Sequence, residues 1–226
     1  MAEVIAVFDL EGTLCRGGSL MWRGIMKMRV KQGCSIGKVI VHVLSQMPMA
    51  FFYRLGLVDR CKARLILTKN IAALLKGAHE DEVNQLAQQI SEKLAARLRP
   101  DMQTILQGHK QQGHKTVLTS GMFQPFLEAT GQRLGVDLSI GTELKKRGNC
   151  YTGQLLGAMC FGEHKAHMLD EHIREVGFEV DLTQSYAYGD TIWDKPLLEM
   201  VGNAVAVYPD AELRAHAQKQ GWRIIG

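Results

Sequence analysis

Residues 4–13 read Val4-Ile5-Ala6-Val7-Phe8-Asp9-Leu10-Glu11-Gly12-Thr13. The apolar run Val4 to Phe8 is too short for a helix and rich in β-branched and aromatic side chains, so it predicts a buried strand that stops at Asp9. Two further runs end the same way: Thr116 to Leu118 leads into Thr119-Ser120-Gly121, and Ser185 to Tyr188 leads into Gly189-Asp190. Ala204 to Val207, ending at Tyr208-Pro209-Asp210, and Arg223 to Ile225 are further strand candidates. Helical patterns lie between them at Phe123–Leu134, Glu163–Val176, Lys195–Met200 and Ala211–Lys219. Strands alternating with helices predict an α/β fold with a Rossmann-like parallel sheet. In such sheets the ligand lies beyond the carboxyl ends of the strands, where Asp9, Ser120 and Asp190 would gather.

The stretch from Ser19 to Arg99 breaks the alternation. It reads as helical over Leu20–Lys31, Ile36–Leu55, Asp59–Leu75 and Asp81–Leu98, with Gly33, Gly56 and Gly77 placed like C-caps. The expected organisation is a core of residues 1–18 and 100–226 and an inserted all-helical cap of residues 19–99. Gly148-Asn149, followed by Tyr151-Thr152-Gly153, predicts a small hairpin flap.

Composition narrows the function classes. The 226 residues are 46% hydrophobic and 22% charged, enough to bury a sizeable core. Twenty-seven basic against 23 acidic side chains give a net charge of +4 with no long Lys/Arg run, which argues against a dedicated nucleic-acid binder and is compatible with an anionic substrate. The five cysteines, Cys15, Cys34, Cys61, Cys150 and Cys160, are scattered and form no CxxC pair, which points away from a disulfide framework or structural zinc and toward a reducing compartment. No basic segment followed by a long apolar run opens the chain, so a cytoplasmic protein is expected.

Four groups carry chemistry. Asp9 and Glu11, two residues apart at a strand end, can present oxygens to a hard divalent cation, with Gly12 permitting a tight turn and Thr13 available to phosphate. Asp190 and Asp194, four apart, could complete an acidic cup at the same sheet edge. Taken singly, the first pair reads equally as a turn with solvated acids, and the second reads more readily as a helix N-cap. Ser120-Gly121 before a helix offers a hydroxyl and backbone N–H groups to a phosphate. Lys165, opening another helix, is a surface lysine by default, yet from there an ammonium could reach anionic oxygens. His164 and His167, three apart, lack a converging third ligand and are not read as a metal pair. Cys15 reads as a buried small residue, and Ser120 lacks a Gly-x-Ser-x-Gly context for a serine hydrolase.

The order strand–Asp-x-acid-Gly-Thr, strand–Ser-Gly, helix-borne Lys, strand–Gly-Asp-Thr-x-x-Asp resembles the haloacid dehalogenase (HAD) superfamily over essentially the whole chain. The resemblance is closest to the branch containing phosphoserine phosphatase, with its helical cap after the first strand. It implies a magnesium-dependent phosphomonoester hydrolase acting on a small phosphorylated metabolite. Asp9 would be the nucleophile that forms an aspartyl-phosphate. Mg²⁺ would be held by Asp9, the Glu11 carbonyl and Asp190, with Asp194 ligating directly or orienting waters. Lys165 would offset the gathered charge, and Thr13, Ser120, Gly121 and Lys165 would hold phosphoryl oxygens.

Two positions depart from that pattern. Glu11 stands where the family usually carries the aspartate that serves as general acid and base. Glutamate keeps the acid–base range, but its extra methylene displaces the carboxyl. A compensated phosphatase, a slow one, and a protein whose aspartyl-phosphate persists for transfer are the three consequences, the first being the reading taken. The other readings are an attenuated HAD-fold binding module and a phosphotransferase or lipid-phosphate phosphatase. Gly18 occupies the place where phosphoserine phosphatase carries a glutamate for the substrate amine, so phosphoserine is not the expected substrate.

In the expected cap, Val39 to Tyr53 contains no Lys, Arg, Asp or Glu. It reads as a buried helix or dimer face, and alternatively as a surface for an apolar phosphate ester or a membrane. Ser19, Arg23, Arg54, Arg60 and Arg64 are the candidates for contacting the leaving group, although solvent-facing helical arginines are the default. Spacing leaves the oligomeric state open.

Overall fold

Strand β1 (Ile5–Asp9) is buried along its whole length and sits in the middle of the chain's main sheet. The structure is a computed structural model, and residues 2–17, 20–33, 59–176 and 179–226 are described, the side chains of Arg60 and Val176 apart. With β2 (Lys115–Phe123), β3 (Leu138–Thr142), β6 (Tyr186–Gly189), β7 (Asn203–Val207) and β8 (Arg223–Ile225), β1 forms a six-stranded parallel sheet of order β3-β2-β1-β6-β7-β8. The expected α/β, Rossmann-like core is present. β3 was not among the strands expected from sequence.

Helices α4 (Pro100–Gln111), α5 (Gln124–Leu134), α6 (Glu163–Val176), α7 (Lys195–Leu198) and α8 (Ala211–Gln220) connect the strands. Side chains alternate across a strand, and β1 shows what that does for function. Ile5 and Val7 join one buried cluster with Leu169 of α6, Leu197 of α7 and Leu213 of α8. Phe8 points the other way and stacks on Tyr188 of β6 at 4.5 Å between ring centroids. Asp9 continues the Ile5–Val7 parity. The same alternation that fills the core therefore turns the terminal carboxylate toward α6, where Lys165 lies four residues, about one turn, before Leu169.

The β1–β2 register pairs Asp9 with Thr119, which puts Ser120 just beyond it at the same edge. Here the structure corrects the sequence reading. β2 runs on to Phe123 through a register shift between Thr119 and Phe123, and α5 begins only at Gln124. Ser120 and Gly121 therefore belong to an irregular strand end and not to a helix N-terminus.

Two compact units are distinguished. One comprises residues 1–18, 87–142 and 158–226; the other comprises residues 19–86 and 143–157. Among its described residues, the inserted segment of the second carries α1 (Leu20–Lys31), α2 (Arg60–Ala73) and the first part of α3 (Glu80–Ala95). The hairpin expected at Gly148-Asn149 is β4 (Leu144–Arg147) and β5 (Cys150–Leu155), and it belongs to this unit. It is tied to the stretch after α2: Gly77 N–H donates to the Tyr151 carbonyl at 2.8 Å, Tyr151 N–H to Ala78 at 3.0 Å, and Glu80 N–H to Asn149 at 2.8 Å. The expected helix Ile36–Leu55 and the apolar run Val39–Tyr53 lie outside the described residues. No described helix is long and apolar enough to cross a membrane.

Candidate active site

After β1 the chain turns back on itself. Gly12 N–H donates to the Cys15 carbonyl at 2.8 Å and Cys15 N–H to the Leu10 carbonyl at 2.9 Å, which closes a tight loop over residues 10–15. Gly12 makes this loop feasible, with φ of 104° and no side chain; a Cβ there would lie 2.0 Å from Asp190 Oδ2. Any other residue there would run into the Asp190 carboxylate and displace it.

Across the edge, β6 ends at Gly189. Asp190 follows, and a short 3₁₀ turn, Ile192–Asp194, brings the chain back. Asp194 Oδ2 accepts from the N–H groups of Asp190 (3.3 Å) and Thr191 (3.2 Å) and from the Thr191 hydroxyl (3.1 Å). These bonds fix the Asp194 carboxylate and leave Oδ1 aimed at Lys165, 2.7 Å away. Lys165 Nζ also lies 2.6 Å from Asp9 Oδ1. Thr13 Oγ1 donates to Asp190 Oδ1 at 3.3 Å.

Four ionisable groups from three distant chain segments therefore meet, and three of them, Asp9, Asp194 and Lys165, are fully buried or nearly so. Oxygens of Asp9, Asp190 and Asp194 all lie within 4.8 Å of one another. One ammonium faces three carboxylates, and the electrostatics show the deficit. Burial and the neighbouring Asp194 raise the Asp9 carboxyl to about 6 against the pull of Lys165. Burial, Asp9 and Asp194 raise Asp190 to about 8. Burial alone would lower the Lys165 ammonium, but Asp194 and Asp9 outweigh it and hold its affinity for the proton above the ordinary lysine range. An oxygen-only donor set short of positive charge fits a hard divalent cation such as Mg²⁺.

Of the remaining expected residues, Ser120 is buried beside this edge, its hydroxyl accepting from Met122 N–H at 3.3 Å, and Gly121 is partly buried. The half-buried Glu11 side chain is not among the three clustered carboxylates. His164 and His167 form no metal-binding group among the described residues. Arg23 on α1 and Arg64 on α2 are exposed. Ser19, Arg54 and the Arg60 side chain lie outside the description.

Sequence reading missed Arg99, whose Nε donates to the Gly12 carbonyl at 3.2 Å, and Asp210, whose N–H donates to the Asp190 carbonyl at 2.8 Å. The Pro209-Asp210 pair before a helix was a usable capping signal for the second. An arginine before a proline carries none.

Known proteins resemble this chain in sequence or in fold to different degrees. A phosphoserine phosphatase of Mycobacterium tuberculosis is 26% identical over 220 residues, covering 97% of this chain and 69% of its own. A histidinol-phosphatase of Neisseria meningitidis is 27% identical over 224 residues, covering 98% of this chain and 97% of its own. A crystal structure of a Bordetella pertussis protein of unknown function has the same fold, with a TM-score of 0.82 at 23% identity over 100% of this chain and 99% of that one. The family model for haloacid dehalogenase-like hydrolases matches residues 6–199, from the first buried strand to beyond Asp194, and the chain belongs to that family.

Proposed function

We propose that the protein hydrolyses a small phosphomonoester in two steps at Asp9. The observation that carries this reading is the buried pairing of Lys165 with both Asp9 and Asp194, with Asp190 alongside. In the first step an Asp9 carboxylate oxygen attacks phosphorus, the bond from phosphorus to the ester oxygen breaks, and Glu11 gives the leaving alcohol its proton. In the second, Glu11 takes a proton from water, the water oxygen attacks phosphorus, and inorganic phosphate leaves with Asp9 restored. Splitting the displacement this way replaces one difficult step with two easier ones. Lys165, Thr13, Ser120 and the Gly121 N–H hold phosphoryl oxygens, so catalysis rests on positioning and on charge already in place.

Asp9, the Glu11 carbonyl and Asp190 are the proposed holders of Mg²⁺, with Asp194 supporting the site from beside Lys165. When bound, the ion would offset negative charge on the phosphoryl group and the carboxylates. The inserted helical segment is the proposed selector of the leaving group, and the proposed setting is the cytoplasm.

The two curated relatives are named for phosphate esters of amino alcohols, which makes that class the first to try. Gly18, in the place of the usual amine-binding glutamate, argues against phosphoserine itself. Turnover of p-nitrophenyl phosphate should require Mg²⁺ and vanish in Asp9→Asn. In a panel of histidinol phosphate, phosphoserine and lysophosphatidic acid, phosphoserine should not be preferred. Turnover that survives Asp9→Asn would overturn the reading.

A further inference from the structure

Tyr208, the first residue after β7, has φ of 44°, the left-handed backbone that a bulky side chain rarely adopts, and no other described non-glycine residue shares it. Such a conformation persists only where its surroundings over-determine it. Here they do. Tyr208 N–H donates to the Ile225 carbonyl at 2.6 Å, its hydroxyl donates to Asp101 Oδ2 at 2.9 Å, and the Arg99 guanidinium lies 3.8 Å over its ring. Arg99, over that ring, donates from Nε to the Gly12 carbonyl, and its backbone N–H donates to the Leu14 carbonyl at 2.9 Å.

Two residues on, Asp210 engages the other acidic loop. Its N–H donates to the Asp190 carbonyl, Oδ2 accepts from Ile192 N–H at 3.3 Å, and Oδ1 accepts from Leu213 N–H at 2.7 Å to cap α8. The turn Tyr208-Pro209-Asp210 therefore reaches both loops of the site: the Asp9 loop through Arg99, and the Asp190 loop through Asp210. Gly12, the point that Arg99 grips, faces the Asp190 carboxylate, with no room for a Cβ between them.

We infer that this turn, with Arg99 as its arm, is a positioning bracket that sets the spacing between the Asp9 and Asp190 loops and thereby the site's affinity for its cation. None of the three side chains touches the reacting atoms, so all are positioning residues. The consequence for the cation rests on the proposed Mg²⁺-dependent hydrolysis; the bracket itself does not.

Hydrogen exchange of the metal-free chain, followed by mass spectrometry over residues 9–15, 115–123 and 189–194, tests it directly. Asn tolerates left-handed backbone, so Tyr208→Asn removes the ring without adding strain. Arg99→Lys keeps the charge but loses the guanidinium over the ring and the Nε bond. Each should speed exchange in 9–15 by about tenfold, the scale of one lost hydrogen bond, and leave 115–123 unchanged. Asp210→Asn can still cap α8 but cannot accept a second N–H through its amide nitrogen, and it should do the same in 189–194. Tyr208→Phe keeps the stack and should match wild type.

In Mg²⁺ titrations of p-nitrophenyl phosphate turnover, the first three variants should raise the half-saturating Mg²⁺ about tenfold while kcat at saturating Mg²⁺ stays within about twofold. Wild-type exchange in 9–15 for both Arg99→Lys and Tyr208→Asn, or equal acceleration across all three peptides, would overturn the bracket. The exchange measurement uses neither metal nor substrate, so an inactive wild type would count against the proposed hydrolysis alone.

Discussion

Lys165 Nζ stands 2.6 Å from Asp9 Oδ1, inside a site where both side chains are almost wholly withdrawn from water. The ammonium bridges to Asp194 as well, so it is the counter-ion that allows two buried carboxylates to remain close. Removing one partner of a buried pair is worse than never having had the pair, because the other charge is left uncompensated. Lys165→Met should therefore lower the unfolding free energy by about 3–5 kcal/mol, read as a lower urea midpoint in metal-free buffer. An unchanged midpoint would mean that the pairing contributes nothing net.

Glu11 separates acid–base chemistry from charge alone. Glu11→Gln preserves size and removes the transferable proton, so kcat should fall by about 100-fold or more, the usual range for general acid–base catalysis. Glu11→Asp shortens the arm by one methylene and should retain most of the activity if the 10–15 loop accommodates it. Pre-steady-state assay of p-nitrophenyl phosphate would show whether the phenolate burst survives in Glu11→Gln, as expected if dephosphorylation is the slower step. Equal activity in the three proteins would remove Glu11 from proton transfer.

The strands bordering the site were legible because each is an apolar run ended by a polar break. Val4–Phe8 before Asp9 and Ser185–Tyr188 before Gly189 leave little other reading. α6 is found over the expected Glu163–Val176, and β8 over Arg223–Ile225. Ser120-Gly121 was misread as the mouth of a helix because serine and glycine ordinarily break strands, whereas pairing with β3 carries β2 on to Phe123. β3 itself, Leu138-Ser139-Ile140-Gly141-Thr142, was invisible: Gly141 and two hydroxyl residues dilute its apolar pattern, and Gly141 is needed because a Cβ would meet the Met122 carbonyl at 2.8 Å. The Arg99 and Tyr208 contacts were out of reach for another reason. Through its guanidinium, Arg99 joins Gly12 and Tyr208, each more than 80 positions away, and no local spacing records that.

Cysteine chemistry offers a test that needs no substrate. Cys15 and Cys160 are both fully buried. Burial, with Glu11 and Asp9 nearby, raises the Cys15 thiol to about 12, and burial raises Cys160 to about 11 despite Lys165. Because the thiolate is the nucleophile, neither should react at pH 8 while the chain is folded. Exposed Cys150 should react within minutes with an aromatic disulfide reagent. Peptide mapping after brief labelling should find Cys150 modified, with Cys15 and Cys160 appearing only in denaturant. Early modification of Cys15 would mean that the 10–15 loop opens readily.

On the opposite face of β1 from Lys165, His109 of α4 sits buried against Phe8, Tyr186 and Tyr188. Its Nε2 is 2.7 Å from the Tyr188 hydroxyl and its Nδ1 is 2.8 Å from His114 Nδ1, a contact that accommodates a single proton between the two rings. Burial and His114 together lower His109 from 6.5 to about 4. The sign follows from linkage. Between those values the unfolded chain binds a proton that the folded one refuses, so acid favours unfolding, and His109's share of stability is present above pH 6.5 and lost as pH falls toward 4. At about 1.4 kcal/mol per unit the loss is on the order of 3 kcal/mol. His109→Phe removes the titration, so the stability gap between wild type and variant should shrink as urea midpoints are followed from pH 7 to pH 4.5. Parallel curves over that window would mean that His109 accepts its proton in the folded state as easily as in the unfolded one.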